Sequence, residues 1–62
     1  MSVKRRDILK YFENCGYWFK REGGNHTIYT NGKKCIPIGR HSTFNRKEAN
    51  KLCKEANIPE IF

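Results

Sequence analysis

The sequence lacks long apolar runs and the residue patterns that build disulfide or metal frameworks. No stretch of the 62 residues is apolar enough for a membrane span or a secretory signal, so we expect a cytoplasmic protein. The cysteines Cys15, Cys35 and Cys53 are far apart and form no Cys-x-x-Cys pair, which argues against disulfides and a zinc site. We expect three small buried apolar residues, and neither a metal nor a cofactor.

Acidic residues are also scarce, and their distribution is uneven. The chain has 6 Asp and Glu against 13 Lys and Arg, a formal net charge of +7. Residues 14–47 carry seven cations opposed by Glu22 alone. A positive middle segment favours a polyanionic partner, most often a nucleic acid, although a solubilising surface remains an alternative. A membrane surface is not favoured, because no basic helix also has a broad apolar face.

The first element predicted by hydrophobic spacing is a helix from Val3 to Cys15. Ile8, Leu9 and Phe12 recur at helical intervals and form one apolar stripe. Ser2 is expected to cap the N-terminus of this helix, and Gly16 to end it in the left-handed conformation.

Three strands are predicted next, over residues 17–22, 26–30 and 33–38. Gly23-Gly24-Asn25 suits a tight hairpin turn, and Asn31-Gly32 is typical of a type I′ turn. Pro37 cannot donate a ladder hydrogen bond, so it is expected near the end of the third strand or on an exposed edge.

Alternation along the first strand divides its side chains between two faces. Trp18, Lys20 and Glu22 are expected on one face, and Tyr17, Phe19 and Arg21 on the other. Because both faces carry aromatic residues, the sequence does not tell which one packs against the helices. Trp18 fits a core position better than a base-stacking surface.

A second helix is predicted after the loop 39–44. Asn45 and Glu48 have the spacing of a capping box, and Phe44 can pack against Ala49. The helix is expected to end near Asn57. The predicted fold is therefore a single α+β domain over residues 1–62, in the order α-β-β-β-α, with two helices on one face of a three-stranded antiparallel sheet.

His26 is the candidate catalytic residue. It opens the second strand after two glycines, which permit close approach of a phosphate backbone. Histidine exchanges protons near neutral pH, so it can take the proton of a ribose 2′-hydroxyl or protonate a leaving 5′-oxygen. An ordinary exposed strand residue is the alternative. No paired carboxylates, phosphate loop or His-Glu-x-x-His motif offers another chemistry.

Other polar residues are open to more than one interpretation. His41 can be the second acid–base group, a phosphate ligand or a structural residue near the second helix. Arg46 and Lys47 oppose the dipole at the start of that helix, which suggests a phosphate contact, although a solvated face explains them equally well.

Several features in the same order resemble the HicA (YcfA-like) family of mRNA interferase toxins. They are Cys15-Gly16-Tyr17, Gly23-Gly24-Asn25-His26, Asn31-Gly32, Ile38-Gly39-Arg40-His41 and Ala56-Asn57-Ile58, and together they cover nearly the whole chain. Two positions depart from the family pattern. Gly24 stands where the family typically has serine, and Gly39 where it often has proline.

The resemblance implies a double-stranded-RNA-binding-like fold and a metal-independent endoribonuclease of a type II toxin–antitoxin system. It implies that His26 is the essential histidine and that the partner is a HicB-type antitoxin. The toxin is then expected either as a monomer or within a toxin–antitoxin hetero-oligomer. The RNA-binding residues expected from charge and turn position are Lys20, Arg21, Gly23, Gly24, Lys33, Lys34, Arg40, Arg46 and Lys47. The alternatives are a non-catalytic module that binds double-stranded RNA and a small protein-interaction domain.

Overall fold

The computed structural model describes residues 2–62 and confirms the α-β-β-β-α order, with one additional short strand before the first helix and another between the last sheet strand and the second helix. The elements are β1 (Ser2–Lys4), α1 (Arg5–Asn14), β2 (Trp18–Gly23), β3 (His26–Thr30), β4 (Cys35–Gly39), β5 (Thr43–Asn45) and α2 (Arg46–Glu55). Strands β2, β3 and β4 form an antiparallel sheet in that order, and β1 pairs with β5 separately. No helix within residues 2–62 meets the length and apolarity that a bilayer crossing requires.

The first helix starts two residues later than predicted. Residues 2–4 form β1, in which Val3 lies opposite Phe44 of β5, and the helix begins at Arg5. The prediction that Ser2 caps the helix is therefore wrong, because Ser2 is committed to strand pairing. The loop predicted for residues 39–44 is shorter for the same reason, since Gly39 ends β4 and Thr43 begins β5. Gly16 follows the helix with a φ of 90°, as predicted.

One face of the three-stranded sheet packs against both helices, and the other is left open. Tyr29 and Ile36 are paired across β3 and β4, and both are buried. They share one core with Ile8 and Phe12 of α1, and with Ala49 and Cys53 of α2. Pro37 is exposed on β4, which is an edge strand, so it occupies one of the two positions predicted for it.

The two hairpin turns differ from each other. Gly23 pairs with His26, and the two-residue turn between them has a positive φ at Gly24 (60°). The prediction of a type I′ turn at Asn31-Gly32 is wrong, because Gly32 has a positive φ (93°) whereas Asn31 does not. A four-residue loop forms instead, in which Asn31 Oδ1 accepts from the amides of Lys33 (2.9 Å) and Lys34 (2.8 Å).

A bulge in β2 changes the predicted distribution of its side chains. The register passes from Phe19 opposite Tyr29 to Arg21 opposite Ile28, so that Lys20 is an extra residue. Beyond this point the alternation is reversed, and Arg21 joins Trp18 and Lys20 on the open face. Glu22 moves to the helix-covered face, and its Oε1 accepts from the Thr27 hydroxyl (3.0 Å).

Helix α2 begins with the predicted capping box. Asn45 Oδ1 accepts from the Glu48 amide (2.7 Å), and Glu48 Oε1 accepts from the Asn45 amide (3.1 Å). Phe44 and Ala49, the predicted staple, belong to the same buried core. After the helix, Asn57 has a φ of 59°, which ends it where expected.

The cysteines and the tryptophan depart from the expectation of burial. Cys53 is buried, Cys15 is intermediate and Cys35 is exposed on the open face of β4. The expectation that Trp18 belongs to the core is also wrong, because 52% of its surface is exposed. Both helices pack on the opposite face of the sheet, so they leave about half of the Trp18 surface exposed.

Candidate active site

His26 lies between two glycines on the open face of the sheet. It is exposed at the start of β3, opposite Gly23 of β2 on one side and Gly39 of β4 on the other. Neither neighbour has a side chain, so the imidazole is uncrowded within its row of the sheet. This placement matches the prediction of a histidine directly after a glycine turn. The space beside the ring is therefore available to side chains from other positions, His41 above Gly39 and Arg21 above Gly23.

His41 is held against the second of these glycines. A Cβ built on Gly39 would lie 3.1 Å from His41 Cδ2 and 3.4 Å from its Nε2, so the imidazole occupies the space that a side chain would fill. The ring also makes an edge contact with Phe44, with centroids 5.7 Å apart. Gly39 and Phe44 together position His41 one strand away from His26.

Both imidazoles line one open cavity of about 330 Å³ at the free edge of β4. Gly39 forms part of its wall, and Glu48, Lys51 and Glu55 of α2 contribute charged groups. Two residues that can each exchange a proton thus face the same space. The sequence analysis did not identify these three residues of α2 as part of the site. Their spacing of three and four positions, which places them on one helix face, is the signal that would have found them.

The bulge brings two cations to the face that carries His26. Lys20 Nζ lies 3.4 Å from Cys35 Sγ, so its side chain crosses the open face toward β4. Arg21 Nη1 lies 3.2 Å from the place where a Cβ on Gly23 would be. Gly23 is the residue of β2 that pairs with His26. Lys20 and Arg21 were both predicted to bind RNA, and the bulge places them on the same side of the sheet.

An arginine that the sequence analysis missed supports the same end of the sheet. Arg5 Nε donates to the carbonyl oxygen of Gly39 (3.1 Å), and its Nη2 donates to Thr27 Oγ1 (2.6 Å). Gly39 flanks His26, and Thr27 follows it in sequence. Arg5 is partly buried and lies outside the cationic segment that was singled out, so neither composition nor motif spacing pointed to it.

Arg40, a predicted RNA-binding residue, forms an ion pair with Glu22. Arg40 Nη2 lies 2.8 Å from Glu22 Oε1, and the two side chains are 48% and 55% exposed. A pair this exposed contributes on the order of 0–1 kcal/mol. A phosphate can therefore replace the carboxylate as partner at little cost.

The remaining predicted cations lie away from His26. Lys33 and Lys34 are exposed in the loop at the other end of β3 and β4, and Arg46 and Lys47 are exposed at the start of α2. Lys34 and Lys47 line a second cavity beside α2. The structure therefore divides the cations between the open face and the helix side, and does not form a single patch.

Metal-ligating side chains are dispersed. Across residues 2–62, no three His, Cys, Asp or Glu side chains lie close enough to share an ion. Burial raises the pKa of the Cys53 thiol, which keeps it protonated and is consistent with a packing role.

No protein-family profile matches the chain, and no curated protein or solved structure shows significant similarity to it. A functional assignment therefore depends on the geometry and chemistry of the residues described above.

Proposed function

We propose that the protein is a metal-independent endoribonuclease, the mRNA-cleaving toxin of a type II toxin–antitoxin system. The observation that carries the proposal is the pair of exposed imidazoles, His26 and His41, in one cavity beside Gly39. Lys20 and Arg21 add positive charge on the face that carries His26. A site with two proton-exchanging groups next to phosphate-binding cations suits cleavage of RNA by its own 2′-hydroxyl.

In the proposed reaction, neutral His26 takes the proton of the ribose 2′-hydroxyl. The 2′-oxygen forms a bond to the adjacent phosphorus, and the bond from phosphorus to the 5′-oxygen breaks. Protonated His41 supplies the proton that the leaving 5′-oxygen requires. The products are a 2′,3′-cyclic phosphate and a free 5′-hydroxyl. Arg21 stabilises the charge that develops on the phosphorane oxygens, and Lys20 adds positive charge farther along the same face, at Cys35.

The resemblance to HicA toxins supports this assignment and extends it to a partner. It implies a HicB-type antitoxin that covers the active surface, and a protein that acts on mRNA in the cytoplasm. Gly39 stands where the family often has proline, and in this chain the His41 ring packs against it. We propose that the isolated toxin is a monomer and that the antitoxin binds it in a hetero-oligomer.

The decisive experiment incubates the purified protein with a single-stranded transcript in the presence of EDTA. His26→Ala should lower the cleavage rate by about 10²–10⁴-fold, the usual contribution of a general acid or base. His41→Ala should reduce it as well, and mass spectrometry should find cyclic-phosphate ends. Asn25→Ala is the matched control, because Asn25 is an exposed neighbour in the turn. Circular dichroism establishes that each variant is folded.

Two results would contradict the proposal. A folded wild-type protein that leaves the transcript intact has no such activity, and equal cleavage by His26→Ala removes its proposed base.

Arg46 and Lys47, exposed at the start of α2, favour a second candidate, a non-catalytic module that binds double-stranded RNA. That module would bind duplexes with a steep salt dependence and cut nothing. A protein-interaction domain would have no salt-dependent affinity for RNA.

A further inference from the structure

The open face of the sheet carries an aromatic residue that neither the core nor the proposed reaction uses. Trp18 is 52% exposed and pairs with Thr30, at the end of the sheet away from His26. A Cβ on Gly32 would lie 3.6 Å from Trp18 Cη2, so that edge of the indole lies next to Gly32 in the loop after β3. Half of the Trp18 surface remains free.

Lys20 and Lys33 lie near Trp18, and Arg21 lies between Trp18 and His26. The side chain of Lys20 crosses the face to Cys35, and the Arg21 guanidinium lies beside Gly23. Lys33 follows Gly32 in the loop after β3. From Thr30 to His26 is four residues of extended strand, or about 13 Å. An aromatic surface, positive charges and a histidine thus follow one another along a single face.

We propose that Trp18 stacks on a base of single-stranded RNA that lies across this open face, with Lys20 at a phosphate beside that base and Arg21 at a phosphate on the way to His26. The inference deepens the proposed function, on which it rests, because it names the form of the substrate. Stacking on an exposed aromatic ring, combined with a cationic path for the backbone, is how proteins bind single strands without needing a particular sequence.

Single-stranded RNA fits this face better than a duplex does. The bases of a duplex are stacked on one another, and the indole can reach the face of a base only where the strand is unpaired. Double-stranded RNA is recognised through phosphates and 2′-hydroxyl groups, which need no aromatic platform. The exposed Trp18 therefore distinguishes between the two forms of substrate.

Fluorescence reports on the proposed contact directly, because Trp18 is the single tryptophan of the chain. The probe is a short 2′-O-methyl oligouridylate, which lacks the free 2′-hydroxyl and is not cleaved. We expect saturable quenching that weakens with added salt, and little quenching by a 2′-O-methyl duplex.

Variants separate stacking from general affinity, with anisotropy of a labelled oligouridylate as the readout. Trp18→Ala should weaken binding about 5- to 150-fold, the range for loss of one stacked base. Trp18→Phe should retain much of the affinity. Phe19→Leu is the matched control: Phe19 adjoins Trp18 and is equally exposed (52%), but pairs with Tyr29 on the opposite face.

The outcomes distinguish this inference from the proposed function. Absence of quenching in a protein that cleaves RNA overturns the stacking and leaves the endoribonuclease intact. Quenching by the oligouridylate without any cleavage of an unmodified transcript supports the stacking and removes the proposed reaction. Equal losses from Trp18→Ala and Phe19→Leu, or equal quenching by single strand and duplex, would also overturn the inference.

Discussion

Substitution of Arg5 by methionine should lower both stability and cleavage. The guanidinium joins the first turn of α1 to the Gly39 carbonyl (3.1 Å) and the Thr27 hydroxyl (2.6 Å), on the two strands that carry and flank His26. Methionine preserves most of the apolar stem of the side chain and removes both hydrogen bonds. The change therefore tests the polar contacts with little loss of packing.

The expected cost follows from the surroundings of these bonds. A hydrogen bond to a charged group contributes about 1.5–3 kcal/mol when its loss leaves a partner unsatisfied. Arg5 is partly buried, and Thr27 keeps Glu22 as a partner, so the lower part of this range applies. We expect a loss of about 1.5–2 kcal/mol, which corresponds to a fall in Tm of about 6–16 °C for a domain of this size.

Thermal unfolding followed by circular dichroism measures the change, and Arg6→Met is the matched control. Arg6 is exposed in the same helical turn, so loss of its charge has a similar effect on the helix dipole. We expect Arg6→Met to stay within about 0.5 kcal/mol of the wild type. Cleavage by Arg5→Met should fall mainly in kcat, because the histidines would be misplaced and not removed. Equal melting temperatures for the two variants would refute the role given to Arg5.

Two further predictions concern the glycines and the tyrosines. Gly39→Ala should impair cleavage with little loss of stability, because its Cβ would meet the His41 ring at 3.1 Å; Gly24→Ala, at a φ of 60° with open space around it, should cost about 1–2 kcal/mol and leave the histidines in place. Gly39→Ala should therefore show the larger loss of cleavage rate, and Gly24→Ala the larger fall in melting temperature. Equal losses by the two variants in both measurements would contradict this. Burial raises the pKa of Tyr17 and Tyr29 above their ordinary value of 10.0, so the free energy of unfolding should be constant below that pH and fall as the pH rises through the folded-state pKa values. Urea midpoints across this range measure the effect, Tyr17→Phe should reduce the slope, and a midpoint independent of pH would exclude it.

The parts of the fold that local signals determine were predictable. The capping box of Asn45 and Glu48, the glycine that ends α1 and the glycine turn before His26 each depend on a few neighbouring residues. The pairing of β1 with β5 was not predictable, because three-residue strands are too short to show a period. Their paired residues are 39 to 43 positions apart in sequence, from Lys4 with Thr43 to Ser2 with Asn45.

The candidate site was predictable in its central residue and not in its surroundings. His26 follows from the glycine turn, but its proximity to His41 depends on how the chain leaves β4 and rests on Gly39. Arg5 contacts residues 22 and 34 positions away in sequence, and a cation at the start of a helix gives no local indication of such partners. The exposure of Trp18 could not be predicted either, because alternation along a strand does not tell which face of the sheet the helices cover.

The bulge in β2 determines which charged side chains lie on the open face of the sheet. Regular alternation would place Glu22 on the same face as Trp18 and Lys20, close to His26, and would send Arg21 to the helix side. A carboxylate there would repel a phosphate backbone. The extra residue, Lys20, reverses this arrangement, because Arg21 then faces the solvent and Glu22 binds Thr27 and Arg40 on the other side. A single inserted position in a short strand thus exchanges a negative charge for a positive one beside the candidate catalytic residue.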